Sequence, residues 1–319
     1  MQLKNKIKIL VTGCGGDIGQ SIGKILNEYE DKVELYGLDI DENTPAKFIY
    51  KNFGLGKHIT ELDYFDYLKE YLIKNGIEIL LPIAEPELRT YANLKIGYSI
   101  GETKIVKANF EALDIGFDKY KTYQFLKKES LPYPKTFQCS NFINQLSFPF
   151  ILKEKTGSGG KNLFLIQSER EYNFYVGSIN KQDYIVQEYL AGDKEEYTCG
   201  LFRGKTGEIR NIIYFRRLRG GYTDFGYKVS NQIINELLNE IANKINLVGS
   251  INIQLRMVNN IPYIFEINPR FSSTVLFRHM MGFNDVLWSI QDALGLKIDS
   301  YHQNDKAVKF YKGYSEYTD

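Results

Sequence analysis

Between Ile7 and Ile83 three apolar runs of strand length, IKILVTG, VELYGLDI and EILLPI, alternate with two amphipathic stretches, at about Asp17 to Tyr29 and Tyr64 to Asn75. A β-α-β-α-β succession admits few folds, because parallel strands joined by crossover helices must be covered on both faces. The first third is therefore predicted to be a doubly wound, Rossmann-like parallel sheet. At 319 residues the chain has room for about one more domain. Its 43% hydrophobic and 25% charged residues are those of a soluble globular protein, which excludes disorder and membrane spans. With 40 Lys+Arg against 39 Asp+Glu the net charge is +1, so there is no global field to draw a polyanion. Nucleic acid and membrane are not expected partners, and any phosphate recognition must come from local placement of cations.

Cys14, Cys139 and Cys199 are far apart and odd in number, which suits reduced thiols rather than a disulfide or zinc framework. The N-terminal segment runs into a strand with no apolar leader, and the expected location is the cytoplasm. A homodimer is compatible with this composition.

The pattern changes along the rest of the chain. A helix-rich stretch from about Asn109 to Glu129 leads to the turn around Pro132 and Pro134. Two short strands, FPFILKEK and NLFLIQS, follow, joined by TGSGGK and backed by a charged helix at about Ser168 to Ile179. The remainder opens with DYIVQEYL and continues through EEYTCGLF, EIRNIIYF, a helix at about Ser230 to Ile245, SINIQLRMV, PYIFEINP and a last helix ending near Leu294. It is predicted to be an antiparallel sheet carrying helices, so the whole is α/β followed by α+β.

Three groups of residues carry chemistry. The turn Thr12-Gly13-Cys14-Gly15-Gly16-Asp17-Ile18-Gly19 lies between a strand and a helix, and Asp39 ends the next strand. By itself this suits a dinucleotide, and an NAD-dependent dehydrogenase or epimerase is the alternative it keeps open; equally, the glycines could serve only a tight turn and close helix packing. Tyr123 and Lys127 have the spacing of a short-chain dehydrogenase pair, but about two such pairs are expected by chance in so Tyr- and Lys-rich a chain. Second, Lys153 and Lys155 alternate on one strand face before Thr156-Gly157-Ser158-Gly159-Gly160-Lys161, a loop of small residues and backbone donors that can cover a polyphosphate. It is not a Walker A loop, since it joins two strands and lacks the GK[ST] ending.

Third, alternation in Tyr263 to Arg270 puts Glu266, Asn268 and Arg270 on one face. Oxygen donors of this kind suit Mg²⁺ shared with nucleotide phosphates, and an arginine beside them can neutralise a transferred phosphoryl group. A three-residue loop, Asn259 to Ile261, places Gln254 opposite Glu266 and Asn252 opposite Asn268; a two-residue turn would flip that face. Between these groups, Gln187-Glu188-Tyr189-Leu190 and Glu196 offer strand-end backbone and carboxylates suited to adenine and ribose. Arg216, Arg217 and Arg219 form a cationic run, either a carboxylate or phosphate clamp or an exposed basic loop.

The order of these pieces, from GCGGDIGQ through Asp118-Lys119-Tyr120, FPFILKEKTGSGGKNLFLI, VQEYLAGDKEEYT and SINIQLRM to FEINPRFSS, resembles the ATP-grasp superfamily. It is most similar to one ATP-grasp half of the carbamoyl-phosphate synthetase large subunit and, more distantly, to biotin carboxylase. The resemblance implies an N-terminal domain over residues 1–108, a small lobe over 109–186 and a C-terminal lobe with the metal site over 187–319. It further implies ATP as cofactor with two Mg²⁺, or Mn²⁺ in their place. Lys119, Lys153 and Lys155 would contact phosphates, and the loop Gly157, Ser158, Gly159 and Gly160 would cover them. Gln187, Glu188, Tyr189 and Leu190 would hold adenine and Glu196 the ribose. Gln254, Glu266 and Asn268 would be the metal ligands, with Arg270, Lys153 and Asn268 catalytic. The implied reaction is ADP-forming ligation of a small carboxylate to an amine through an acyl-phosphate, a carbamoyl-phosphate-synthetase-like reaction on bicarbonate being a further alternative. By chain order Tyr222, Asp224, His279 and the three arginines are placed at the acceptor pocket.

Overall fold

A computed structural model describes residues 6–157, 162–191, 196–219, 222–302, 308–313 and 315–318. The first sheet holds β1 (Ile7–Thr12), β2 (Val33–Asp39), β3 (Asn52–Leu55), β4 (Ile79–Pro82), β5 (Ser99–Ile100) and β6 (Thr103–Ile105), with the order β3-β2-β1-β4-β6-β5. Every pairing is parallel except β5 with β6 at the edge. Helix α1 (Asp17–Asn27) covers one face, and α2 (Tyr64–Asn75) and α3 (Glu85–Asn93) cover the other. The parallel sheet predicted from the alternating runs is the one observed, with the short strands at its edges added.

Two helices, α4 (Phe110–Gly116) and α5 (Lys119–Lys128), lead out of this unit. The Asp118 side chain caps α5 by accepting from the backbone N–H of Tyr120 and Lys121. The second sheet is antiparallel: β7 (Thr136–Gln138), β8 (Phe150–Glu154), β9 (Leu163–Ile166) and β10 (Tyr184–Glu188), in the order β7-β10-β8-β9, backed by α6 (Glu169–Val176). The strand DYIVQEYL, read above as opening the last sheet, thus lies between β7 and β8. The third sheet holds β11 (Glu196–Arg203), β12 (Ile209–Arg219), β13 (Tyr222–Val229), β14 (Gly249–Val258), β15 (Ile261–Asn268) and β16 (Lys309–Tyr311), in the order β15-β14-β11-β12-β13-β16. Helix α7 (Gln232–Lys244) packs on it with α4 and α5. The tail, in which no regular element was predicted, supplies the edge strand β16.

Helices α8 (Val275–Met280) and α9 (Asp285–Ala293) return to the parallel sheet. Val275, Val286, Leu287 and Ile290 share one core with Ile9, Val11, Ile22 and Ile79, so the two ends of the chain are fixed by common apolar burial. Among the described residues no helix is long and apolar enough to cross a membrane.

The β14–β15 hairpin corrects one step of the sequence reading. Its turn has two residues, Asn259 and Asn260, both at positive φ (50° and 62°), where Asn is tolerated. Val258 faces Ile261 and Leu255 faces Ile264, the register said above to flip the polar face. A bulge between Gln254 and Leu255 then skips Phe265, so Gln254 does face Glu266 and Asn252 faces Asn268. The extra residue lies in the strand, not in the turn.

Candidate functional site

All three sheets contribute to one cavity of about 780 Å³. Lys153, Gln187, Glu188, Tyr189, Leu190, Glu196, Gln254, Glu266, Asn268 and Arg270 all line it, together with apolar Ile151, Leu163 and Leu218. Its far end reaches the glycine turn, Asp39 and the start of α3 below the carboxyl edge of the parallel sheet.

Lys153 projects from β8 and is only 6% exposed. Its Nζ lies 3.5 Å from the Phe265 carbonyl, the group freed by the bulge, and 5.8 Å from the centre of the Phe265 ring. Burial lowers the ammonium pKa to about 7; Glu266 pulls it up and Lys119 pushes it further down. Lys119, at the start of α5, donates from Nζ to the Gly157 carbonyl (2.7 Å), so it touches the loop but does not itself line the cavity. Lys155 departs from expectation. Strand β8 ends at Glu154, the backbone bends, and Lys155 does not line the cavity. Of the covering loop, Gly157 has φ +132°, a conformation that favours glycine; Ser158, Gly159 and Gly160 lie outside the described residues.

On the adenine side, Gln187 is tied to the Thr136 hydroxyl (2.9 Å) and Glu188 accepts from the Lys135 backbone N–H (3.0 Å). The Leu190 carbonyl accepts from Arg256 (3.3 Å). Glu196 departs further from a waiting ribose ligand. Arg216 grips its Oε1 through two nitrogens (2.9 and 2.6 Å), and Arg256 reaches Oε2 at 3.2 Å. Arg216 also donates to Gln254 Oε1 (2.8 Å), linking the two carbonyl-bearing side chains through one guanidinium.

Glu266 and Asn268 share one face of β15, and Arg270, expected on the same strand, follows two residues past its end in a bend yet lines the same cavity. Burial lowers the Arg270 pKa, while Glu85 and Glu266 offset it; Arg270 Nη2 lies 3.9 Å from Glu85 Oε2 on α3. Among the described residues no three His, Cys, Asp or Glu side chains come together. The donor set is instead one carboxylate and two amide oxygens, which fits a hard divalent cation whose other ligands are phosphate oxygens and water. Glu266 and Asn268 fit that role directly. Gln254 fits with one lone pair of its oxygen already engaged by Arg216. Asn252 does not join them: its Oδ1 accepts from Arg278 (2.5 Å) and the Thr198 hydroxyl (2.8 Å).

Arg216 is the residue that the sequence reading underused. The run splits by strand alternation: Arg216 points inward, while Arg217 and Arg219 pair with Asp224 on the outside. The Arg256–Glu196 register leaves Glu196 between arginines on both neighbouring strands. Asp224 and His279, placed by chain order at the acceptor pocket, do not line the cavity; His279 pairs with Glu28. The Tyr222 side chain is outside the described residues. Glu85 and Glu87, absent from the sequence reading, do line it.

Packing accounts for two glycines of the turn, Gly15 and Gly19, while Gly13, Gly16 and Gly19 also line the cavity. A Cβ on Gly19 would stand 2.5 Å from Cys14 Cα, and one on Gly15 would stand 2.8 Å from Asp39 Oδ2. Asp39 itself accepts from the backbone N–H of Gly15 (2.6 Å) and Asp41 (3.2 Å). Tyr123 and Lys127 lie on α5, with the ammonium 5.8 Å from its own neighbour's ring, and neither lines the cavity.

A parallel α/β domain joined to two antiparallel sheets that face each other across such a cavity defines a class of two-lobed clamp proteins. Residues 117–274 match the ATP-grasp domain family, so this segment is an ATP-grasp domain. Among curated relatives it is 26% identical over 231 residues to tyramine–L-glutamate ligase of Methanocaldococcus jannaschii, covering 71% of this chain and 66% of that one. It is 25% identical over 325 residues to the carbamoyl phosphate synthase large chain of Caldanaerobacter subterraneus, covering 91% of this chain but 29% of that one. The chain thus spans just under two thirds of the first relative and under a third of the second. In fold it is similar to N5-carboxyaminoimidazole ribonucleotide synthetase from Thermus thermophilus, with a TM-score of 0.76, 16% identity, and 94% and 82% of the two chains covered. The Staphylococcus aureus synthetase solved with ADP gives a TM-score of 0.75 at 18% identity, with 96% and 82% covered.

Proposed function

We propose that this protein is an ATP-dependent, ADP-forming ligase that joins a small carboxylate to an amine through an acyl-phosphate. The observation that carries the reading is the single cavity in which the buried Lys153, the Glu266-Asn268 face, Arg270 and the carboxyl edge of the parallel sheet meet. In this reading the segment Gln187 to Leu190 holds adenine in a slot walled by Ile151 and Leu163. Lys153 and Lys119 meet phosphates, and Arg270 neutralises charge that develops on the transferred group. Glu266 and Asn268, with Gln254, would hold Mg²⁺, which supplies further charge neutralisation when bound with the nucleotide. Arg216, freed from Glu196, is a second guanidinium in reach of an anionic substrate. The domain bounds 1–108, 109–186 and 187–319 belong to the same proposal, with the last boundary moved past Glu188, where β10 ends; so do a homodimer and a cytoplasmic location. The named relative that joins glutamate to tyramine suggests an amino-acid carboxylate and a primary amine as the first substrates to try.

The test is ADP release with ATP, Mg²⁺ and pooled carboxylates, with hydroxylamine as an acyl trap. Release that requires both a carboxylate and the trap, accompanied by a hydroxamate, is the expected outcome. Release at the same rate without any carboxylate contradicts the acyl-phosphate route.

A further inference from the structure

Glu87 stands on the first turn of α3, is 4% exposed and lines the far end of the cavity. Three hydroxyls converge on its carboxyl: Thr12 donates to Oε2 (2.6 Å), and Tyr64 (2.5 Å) and Tyr91 (3.0 Å) donate to Oε1. All three are neutral, and among the described residues no Lys, Arg or His pairs with it. The acids around it are differently provided. Asp17 pairs with Lys312, Asp63 with Lys57, and Glu85 with Arg89 at 2.5 Å, while Asp39 takes two backbone N–H groups. Burial raises the Glu87 pKa, since an enclosed carboxylate without an opposite charge is costly. Held by hydroxyl donors alone, the Glu87 carboxylate is an anionic acceptor at the wall of the cavity with no basic side chain beside it among the described residues. The walls beside it are Leu38, Ile59, Leu68 and Ile83 with the Tyr64 ring, which suit a hydrocarbon body.

We propose that this end of the cavity recognises a primary ammonium group attached to an apolar skeleton, with the Glu87 carboxylate as counterion and the Thr12, Tyr64 and Tyr91 hydroxyls fixing its position. The proposal rests on the ligase reading and assigns the amine to one end of the site. Glu85, two residues earlier on the same turn, lies 3.9 Å from Arg270, so the amine pocket opens beside the guanidinium assigned to the phosphate chemistry.

The experiment separates amine recognition from a merely structural network. Wild type and Glu87→Gln are assayed for ADP release with ATP, Mg²⁺ and pooled carboxylates, using hydroxylamine, which is uncharged at neutral pH, or a panel of ammonium, butylamine and 2-phenylethylamine. Glu87→Gln should keep hydroxylamine-dependent release within about threefold and raise the KM of the preferred amine by about 30-fold or more. In the wild type an amine of the panel should compete with hydroxylamine at least about tenfold better than the alcohol of the same skeleton, because only the amine carries the charge. An unchanged amine KM, loss of both reactions in a folded variant, or no competing amine overturns the proposal. If Glu87→Gln does not fold, the wild-type competition of amine against alcohol decides. Absence of hydroxylamine-dependent release in the wild type, a separate result, removes the ligase reading and this proposal with it.

Discussion

Glu266→Gln is expected to cut ADP release by about 10²-fold or more while leaving the fold intact. The carboxylate faces the cavity beside Asn268 and is the one charged oxygen donor in the candidate metal set. An amide of the same shape keeps the pairing with Gln254 but withdraws the charge that a divalent cation and its nucleotide require. The same change removes the larger of two carboxylate contributions, from Glu266 and Glu196, that raise the Lys153 pKa, so the neighbouring ammonium is weakened too. The ligand-free thermal midpoint should move by no more than about 2 °C, the shift that about 1 kcal/mol produces in a protein of this size. Unchanged turnover would take the metal and phosphate chemistry away from this strand.

Lys153→Met should separate binding from stability. A charge-assisted hydrogen bond to phosphate is worth about 1.5–3 kcal/mol, so affinity for a Mg²⁺–adenine nucleotide should fall by about 10- to 100-fold. The ligand-free protein should be as stable or more so, because an apolar chain of similar length replaces a desolvated amine. The pH dependence follows from a folded pKa of about 7 against the ordinary lysine value of 10.5. Between these values the unfolded chain binds the proton and the folded one does not, so this group's destabilising contribution is full below about pH 7 and fades as pH rises toward 10.5. Wild-type stability should rise with pH through that window more steeply than that of Lys153→Met. A phosphate arriving beside Lys153 restores its proton, so nucleotide binding above pH 7 should take up protons in the wild type. Calorimetry in buffers of different ionisation enthalpy measures that uptake; none in the wild type would contradict phosphate contact by this lysine.

What the sequence made legible follows the range over which each signal acts. The parallel sheet could be read because each βαβ unit is local and its apolar periods are long. The Glu266-Asn268 face could be read because alternation within one strand needs no partner, whereas Arg270 reaches the same cavity from a bend just past the strand. The pairing of Gln254 with Glu266 was anticipated through a three-residue loop, whereas a two-residue Asn-Asn turn and a bulge at Phe265 produce it. Two irregularities that cancel cannot be separated by counting residues. Lys155 was misplaced because the strand ends one residue earlier than alternation suggested. Glu87 and the inward turn of Arg216 depend on elements 20 or more residues apart meeting at one cavity, as Tyr64 and Thr12 meet Glu87 and Glu196 meets Arg216. The glycine turn illustrates the converse: its spacing is that of a phosphate-binding turn, but close packing of α1 on Cys14 already demands glycine at 19, and Asp39 and Thr44 demand it at 15.

Thermal unfolding of the intact protein with ADP, with and without Mg²⁺, and in parallel with NAD, tests the central claim most directly. A ligand that binds only the folded state raises the midpoint in proportion to its affinity and concentration. The cavity described here predicts a rise with ADP that requires Mg²⁺, and none with NAD. A rise with NAD alone would place the nucleotide at the glycine turn and contradict the assignment of Lys153, Glu266 and Asn268.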